Sequence, residues 1–291
     1  MNARLPLTVI SGYLGAGKTT LINRLLAEDH GLRLLVMVND FGAINIDAAL
    51  LESATDDTLT LSNGCVCCTM GADLFLAIGD VLDREDHPDH LIIEASGIAD
   101  PARIAQVAQA EKDLSYGGII TVVDVQGYVA LAADPQIGAQ VAGQVSAADV
   151  ICLSKGQGPQ AALSLQLGIQ SGAPVFDLNE VAELAPILFG FEPGGVPVVS
   201  SASHQPYVAW AEQSDHRMSL AALNTKLAQR PEALFRFKGF VGHDDTSAWE
   251  VHCVGPTISV KALKQAHQTQ VVGIGLAKRL SEAEIAAWWK A

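Results

Sequence analysis

The segment from Gly12 to Thr19 matches the pattern G-x-x-x-x-G-K-[ST], which cradles the phosphates of nucleoside triphosphates. It follows an apolar run and opens a helix-like run, as the motif requires. Glycines let the backbone turn its N–H groups inward, and a helix N-terminus adds positive potential. Lys18 is expected to reach the β- and γ-phosphates, and the Thr19 hydroxyl to bind Mg²⁺. The predicted nucleotide-binding residues here are Gly12, Gly15, Ala16, Gly17, Lys18, Thr19 and Thr20.

A carboxylate and a glycine follow the apolar run 91–93. Glu94 ends that run, at the place where P-loop proteins put the group that orients Mg²⁺ or its water. Gly97 can bring a backbone N–H close to the γ-phosphate. We assign Glu94 and Gly97, with Lys18, to the catalytic group. The alternative for Glu94 is a structural carboxylate that caps a loop.

Two aspartates follow other apolar runs. Asp40 lies after the run 34–38, at the sheet edge where open α/β folds bind ligands, and we expect it to contribute to the Mg²⁺ site. Asp124 ends the run 119–123, and its position fits loop capping and function equally well.

Three of the five cysteines, Cys65, Cys67 and Cys68, fall within four positions after the short apolar run 59–61. Thiolates are soft ligands that suit Zn²⁺, Cu⁺ or Co²⁺. Three of them leave one coordination position open, which suits a metal that is passed on. Buried free thiols and a redox role are the alternatives, although Cys-x-Cys-Cys differs from the usual Cys-x-x-Cys spacing.

Strand-length apolar runs alternate with helix-length amphipathic runs through the first 190 residues, which predicts an α/β domain with a mostly parallel sheet. The predicted strands are Leu7–Ile10, Leu34–Val38, Leu59–Leu61, Leu91–Glu94, Ile119–Val125 and Val150–Ser154. The predicted helices are Thr19–Ala27, Leu74–Leu82, Ile104–Ala110 and Pro159–Ile169.

The composition then changes to a Pro-, Gly- and Ser-rich stretch. We therefore divide the chain into a P-loop nucleotide-binding domain (1–190), a linker (191–206) and a small α+β domain (207–291). In the last domain the predicted strands are Leu234–Val241, Trp249–Val254 and Gln270–Ile274. Ser281 and Glu284 form a capping-box pattern that predicts a final helix.

The chain of 291 residues carries a formal net charge of −14, which disfavours binding to nucleic acids or to anionic membrane surfaces. The sequence begins without the basic and apolar layout of a signal peptide, and no apolar run approaches the length of a membrane span. We expect a cytoplasmic protein.

In combination, these motifs resemble the CobW-like family of P-loop GTPases and metallochaperones, which is related to UreG and HypB. The similar segments are 11–20 (the P-loop), 39–42 (Asn-Asp-Phe-Gly, for N-E-F-G), 64–68 (G-C-x-C-C), 94–101 (E-x-S-G-x-A-x-P) and 236–240 (R-x-K-G-[FW]). The resemblance implies GTP with Mg²⁺, slow hydrolysis, and Zn²⁺ or Co²⁺ on the three cysteines. It also implies delivery of metal to a client metalloprotein or to cobalamin synthesis, and dimerisation over nucleotide is common in this broad class.

Three features depart from the family pattern. The guanine-reading N-K-x-D reads Ser154-Lys155-Gly156-Gln157, so Lys155 remains a predicted nucleotide contact. Gln157 offers one acceptor where an aspartate would accept two hydrogen bonds, which leaves the choice between GTP and ATP open. Ala43 follows the switch segment where relatives often have an acid. A His-rich loop is represented only by His204 and His216.

The sequence thus predicts a slow GTPase that acts as a zinc or cobalt metallochaperone or insertase. One alternative is a nucleotide-gated metal buffer without useful hydrolysis. The other is a P-loop kinase that acts on a small molecule.

Overall fold

The computed structural model describes residues 4–39, 58–61, 72–156, 167, 171–197, 207–254 and 257–291. These residues form two compact units, one made of residues up to 197 and one made of residues from 207 onward. The predicted linker 191–206 lies partly outside the described residues, and the predicted domain bounds stay a prediction.

The first unit contains a sheet of seven parallel strands in the order β3-β2-β4-β1-β5-β6-β7. The strands are β1 Leu5–Ser11, β2 Leu34–Asn39, β3 Thr58–Leu61, β4 His90–Glu94, β5 Leu114–Asp124, β6 Val150–Ser154 and β7 Val175–Asp177. The parallel α/β architecture confirms the predicted fold class. Because every strand runs the same way, the segments that follow the strands all leave from one edge of the sheet.

Helices cover both faces of this sheet. They are α1 Lys18–Leu26, α2 Ala72–Leu82, α3 Pro101–Ala105, α4 Val107–Ala110, α5 Tyr128–Ala133, α6 Gly138–Ser146 and α7 Ala185–Phe189. Alternate strand residues point to opposite faces, so Val9 packs with α2, α3 and α4, while Ile10 packs with α1 and α7. The burial of both faces explains the continuous apolar strands.

Several predicted elements differ from those observed. The predicted helix 104–110 is two short helices that meet at Gln106, and β5 starts earlier than predicted, at Leu114. The helices α5 and α6 were not predicted. The predicted helix 159–169 lies outside the described residues except for Leu167.

The second unit is an antiparallel sheet of five strands in the order β11-β10-β9-β12-β8. Its elements are β8 Tyr207–Ser214, α8 Leu220–Ala228, β9 Leu234–Gly242, β10 Ala248–Val254, β11 Thr257–Leu263, β12 Thr269–Leu276 and α9 Glu282–Lys290. The predicted capping box is confirmed, since Ser281 accepts from the Glu284 amide while the Glu284 carboxylate accepts from the Ser281 amide. The sequence analysis missed β8, β11 and α8.

Among the described residues, no helix has the length and apolar character needed to span a bilayer.

Candidate nucleotide-binding site

The loop between β1 and α1 is shaped by a glycine that no other residue could replace. Gly12 has a φ of +139°, and a Cβ built there would lie 2.3 Å from the carbonyl oxygen of Val122 on β5. The loop therefore packs directly on the neighbouring strand. Gly17 ends the loop in a left-handed conformation and is the N-cap of α1. This is the strand–loop–helix arrangement that the motif requires.

The Lys18 side chain folds back over this loop. Its ammonium nitrogen Nζ donates to the Gly12 carbonyl at 2.9 Å, and the residue is only 4% exposed. A buried ammonium group creates strong positive potential, because water screens it poorly. The site therefore favours an anion.

The first turn of α1 adds to this potential. The leading N–H groups of a helix have no partner within it, and the helix dipole places partial positive charge at the same end. The first turn contains no acidic residue to offset that charge. Thr20 lies in this turn and is exposed.

The sheet order places Glu94 beside the P-loop, because β4 and β1 are neighbours. The Thr19 hydroxyl Oγ1 donates to the Glu94 carboxylate, at 3.1 Å from Oε1 and 3.3 Å from Oε2. Glu94 is 3% exposed. The structure thus brings these two predicted residues together, and their donor atoms are all oxygens, the ligand type that Mg²⁺ prefers.

Gly97 lies against the other side of the same loop. A Cβ on Gly97 would lie 2.7 Å from the Leu14 amide nitrogen and 2.8 Å from the Leu14 Cα. Contacts this close to backbone atoms exclude a side chain. The segment after β4 therefore touches the P-loop directly.

The Ser154–Lys155 segment, which replaces the usual guanine-reading residues, also contacts the P-loop. Lys155 Nζ donates to the Gly15 carbonyl at 2.6 Å and lies 3.0 Å from Asp124 Oδ2. The Ser154 hydroxyl donates to the Ala16 carbonyl at 2.6 Å. Asp124 caps a turn, because its Oδ1 accepts from the Gln126 amide, and its Oδ2 pairs with Lys155, while a functional role for it stays a prediction.

Sequence reasoning missed two residues that hold the segment after β7: Arg24 on α1 and Glu28, which lies just after the end of α1. Arg24 Nη1 donates to the Leu178 carbonyl at 2.6 Å, and the Glu28 carboxylate accepts from the Leu184 amide at 2.8 Å. Asn179, in the same segment, donates to the Gly156 carbonyl at 2.9 Å. A charged residue near the end of a helix and another just after it look like ordinary solvent-exposed residues, so nothing in the local pattern predicts this role.

Two family models match this chain. The model of the CobW/HypB/UreG nucleotide-binding domain matches residues 6–166, and the model of the cobalamin synthesis protein cobW C-terminal domain matches residues 207–291. The chain belongs to the CobW/HypB/UreG family. This confirms the resemblance inferred from the motifs.

Curated relatives in this family are similar to part of the chain. The zinc chaperone CobW of Sinorhizobium sp. is 39% identical over 132 residues, which is 42% of this chain and 37% of the relative. The zinc-regulated GTPase metalloprotein activator 1 of Dictyostelium discoideum is 42% identical over 123 residues, which is 38% of this chain and 26% of the relative. The zinc chaperone YjiA of Escherichia coli K12 is 37% identical over 161 residues, which is 52% of this chain and 49% of the relative. In each case the match spans less than half of the relative.

Some predicted site residues of this CobW/HypB/UreG chain, including the G-C-x-C-C segment, lie outside the part of the chain that the structure describes. Cys65, Cys67 and Cys68 lie outside the described residues, as do Asp40 and Gln157. In the part of the chain that is described, no group of three or more His, Cys, Asp or Glu side chains could hold a metal ion.

The two cysteines that are described, Cys152 in the first unit and Cys253 in the second, are both buried. Cys152 is in the core of the first unit, and burial raises the pKa of its thiol to about 12. Burial also raises the pKa of the Cys253 thiol to about 11. Neither thiol ionises readily, which makes both poor metal ligands.

Proposed function

We propose that this chain is a GTP-dependent metal-handling protein that binds zinc or cobalt, hydrolyses GTP slowly and transfers the metal to a client. Family membership supports the nucleotide part of this proposal. The names of the relatives, two zinc chaperones and a zinc-regulated GTPase metalloprotein activator, support metal handling and favour zinc. A client metalloprotein or the cobalamin-synthesis machinery as recipient, and a homodimer, are parts of the proposal.

The observation that carries the proposal is the pair of contacts at the start of α1. Lys18 reaches back to Gly12, and Thr19 reaches across to Glu94. A cation, helix amides and an acid–hydroxyl pair therefore surround one short loop. This arrangement suits a triphosphate, because the cation and the amides attract phosphate oxygens while the acid–hydroxyl pair is suited to a hard cation.

Mg²⁺ fits the oxygen donors at this position. Thr19 and Glu94, directly or through water, would hold it together with Asp40. When bound, it would neutralise charge on the β- and γ-phosphates. Lys18 would stabilise the charge that develops on the phosphate oxygens, and Gly97 would offer a backbone N–H to the γ-phosphate.

Base recognition by this chain is proposed to be weaker than in GTPases that have N-K-x-D. Lys155 is held over the P-loop by Gly15 and Asp124, where its aliphatic part can contact a base. Gln157 replaces the aspartate that would accept two hydrogen bonds. Each lost hydrogen bond removes about 1–3 kcal/mol of discrimination.

The transferable metal is proposed to bind at Cys65, Cys67 and Cys68. This segment follows β3, so it leaves from the same edge of the sheet as the P-loop. In the sheet order β3 is three strands from β1, which is about 14 Å at the usual strand spacing. We propose that metal and nucleotide are coupled through the segment between β2 and β3, which contains Asp40.

The experiment that tests the nucleotide part compares the wild type with Lys18→Ala. We expect the wild type to bind GTP and to release phosphate slowly. The affinity of the variant for GTP should be about 10- to 150-fold lower, because a hydrogen bond to a charged group contributes about 1.5–3 kcal/mol. Lys112→Ala is the matched control, since the Lys112 side chain is 85% exposed and pairs only with Asp113 in the described structure. Wild-type affinity for GTP in a folded Lys18→Ala protein would refute the assignment. Formation of GDP or ADP that requires a small-molecule acceptor, with the phosphate transferred to that acceptor, would instead favour the kinase alternative.

A further inference from the structure

Two glutamines of α6 hold the loop that follows Glu94. Gln144 Nε2 donates to the carbonyl oxygens of Gly97 and Ala99, both at 3.1 Å. Gln140 Nε2 donates to the Ile98 carbonyl between them. Residues four apart lie on one face of a helix, so a single helix face binds three successive carbonyls.

Gln144 is itself fixed in place. It is 3% exposed, and its backbone carbonyl accepts a hydrogen bond from the Thr121 hydroxyl on β5 at 3.0 Å. A buried amide with a fixed backbone is a rigid donor. Water cannot easily replace it, so the loss of its two hydrogen bonds would leave the loop carbonyls unsatisfied.

These bonds also orient the N–H groups of the loop. In a trans peptide the C=O and the following N–H point in opposite directions. The Gly97 carbonyl points to Gln144, so the Ile98 N–H points away from α6. Within the described residues, the amides of Gly97 and Ile98 donate to no acceptor, whereas the Ala99 amide donates to Ser96. Gly97 itself lies against Leu14 of the P-loop. The loop therefore has its carbonyls fixed on the α6 side and unused donors beside the phosphate loop.

We propose that Gln140 and Gln144 are positioning residues that determine how strongly the site prefers a triphosphate over a diphosphate. This inference rests on the proposed nucleotide function. The loop donors are useful only when a γ-phosphate is present, whereas the P-loop amides and Lys18 serve both nucleotides. Removal of the glutamine donors therefore weakens binding of the triphosphate and leaves binding of the diphosphate unchanged.

The test measures the affinity of a non-hydrolysable GTP analogue and of GDP, each with Mg²⁺, for four variants and the wild type. Gln144→Glu keeps the shape but removes at least one of the two hydrogen bonds to the loop, and we expect the affinity for the analogue to fall about tenfold while that for GDP changes less than about twofold. Gln140→Met removes one donor at equal length, with an expected loss of about threefold, and Gln140→Lys restores a donor and most of the affinity. Gln106→Glu, an exposed glutamine at the junction of α3 and α4, is the control.

The outcomes separate the inference from the function on which it rests. If the folded wild type binds neither nucleotide, the proposed function is overturned and the inference with it. If the wild type prefers the triphosphate and both Gln144→Glu and Gln140→Met keep that preference, the inference alone is overturned. An equal loss of affinity for both nucleotides also overturns the inference, because the glutamines would then support the P-loop in general. If Gln144→Glu does not fold, the Gln140→Met and Gln140→Lys pair still decides the question.

Discussion

Acidification is expected to destabilise the first unit through one buried histidine. His90 begins β4 and is 6% exposed, and the centroid of its ring lies 4.2 Å from that of the Phe189 ring, with the two ring planes tilted by 39°. Its Nε2 lies 2.8 Å from the Thr8 hydroxyl. That hydroxyl donates to the Gly117 carbonyl, so it must accept from His90. The neutral ring therefore satisfies this site, and burial lowers the pKa of His90 from 6.5 to about 4.

The sign and the size of the effect follow from linkage. Between pH 6.5 and pH 4 the unfolded chain protonates this histidine and the folded chain does not, so the free energy of unfolding falls as the pH falls. The pKa difference corresponds to about 3 kcal/mol, which is fully present above pH 6.5 and lost as the pH drops toward 4. His90→Gln keeps a donor for Thr8 but cannot titrate, and should lose this pH dependence.

Equilibrium urea unfolding at pH 7, 5.5 and 4 provides the assay. Far-UV circular dichroism reports the whole chain, whereas tryptophan fluorescence reports the second unit alone, because Trp210, Trp249, Trp288 and Trp289 all lie there. Between pH 7 and pH 4, the free energy of unfolding of the first unit should fall by about 3 kcal/mol more in the wild type than in His90→Gln. Equal pH slopes for the two proteins would refute the reasoning, and His216→Gln, an exposed histidine of the second unit, is the control.

Two further predictions concern the glycines and the base. Gly12→Ala should destabilise the first unit by about 3 kcal/mol or more, because the added Cβ would overlap the Val122 carbonyl. Gly143→Ala in α6 adds a Cβ into open space and should stabilise the first unit by about 0.5–1 kcal/mol. Thermal unfolding measures both changes. Comparable melting temperatures for the two variants would contradict this contrast. GTP should bind more tightly than ATP by less than about a thousandfold, or about 4 kcal/mol, in calorimetric titrations; a larger ratio would show that Gln157 is not the deciding position.

The sequence predicted the central strands and the P-loop because their signals are local. Strands buried on both faces, such as β4 and β6, read as continuous apolar runs and were placed within one residue of their observed bounds. The P-loop motif occurs between a strand and a helix, so it predicts both of these elements as well as the loop. In the second unit, a capping box marked the start of α9 for the same reason.

The elements that the sequence analysis missed have weak local patterns. β11 is an edge strand that pairs only with β10 in the described sheet, and most of its residues are exposed, so no apolar alternation marks it. Helix α6 is rich in Gly, Ala and Gln, without a strong apolar stripe. Gln144 looks like a surface residue in the sequence, and its burial depends on carbonyls more than 40 residues away. Local periodicity carries no information about such contacts.

The coupling of metal to nucleotide tests the proposed function most directly. Zn²⁺ affinity is measured by competition with a chromogenic chelator for the apo, GDP-bound and non-hydrolysable-GTP-bound protein, purified without oxygen. We predict that the triphosphate tightens Zn²⁺ binding by about 5- to 150-fold, with an equal effect of Zn²⁺ on the triphosphate. Cys67→Ser should lose both the metal and the coupling while it keeps its affinity for nucleotide. Equal Zn²⁺ affinity in all three nucleotide states would contradict nucleotide-dependent metal handling and would leave a simple metal buffer as the explanation.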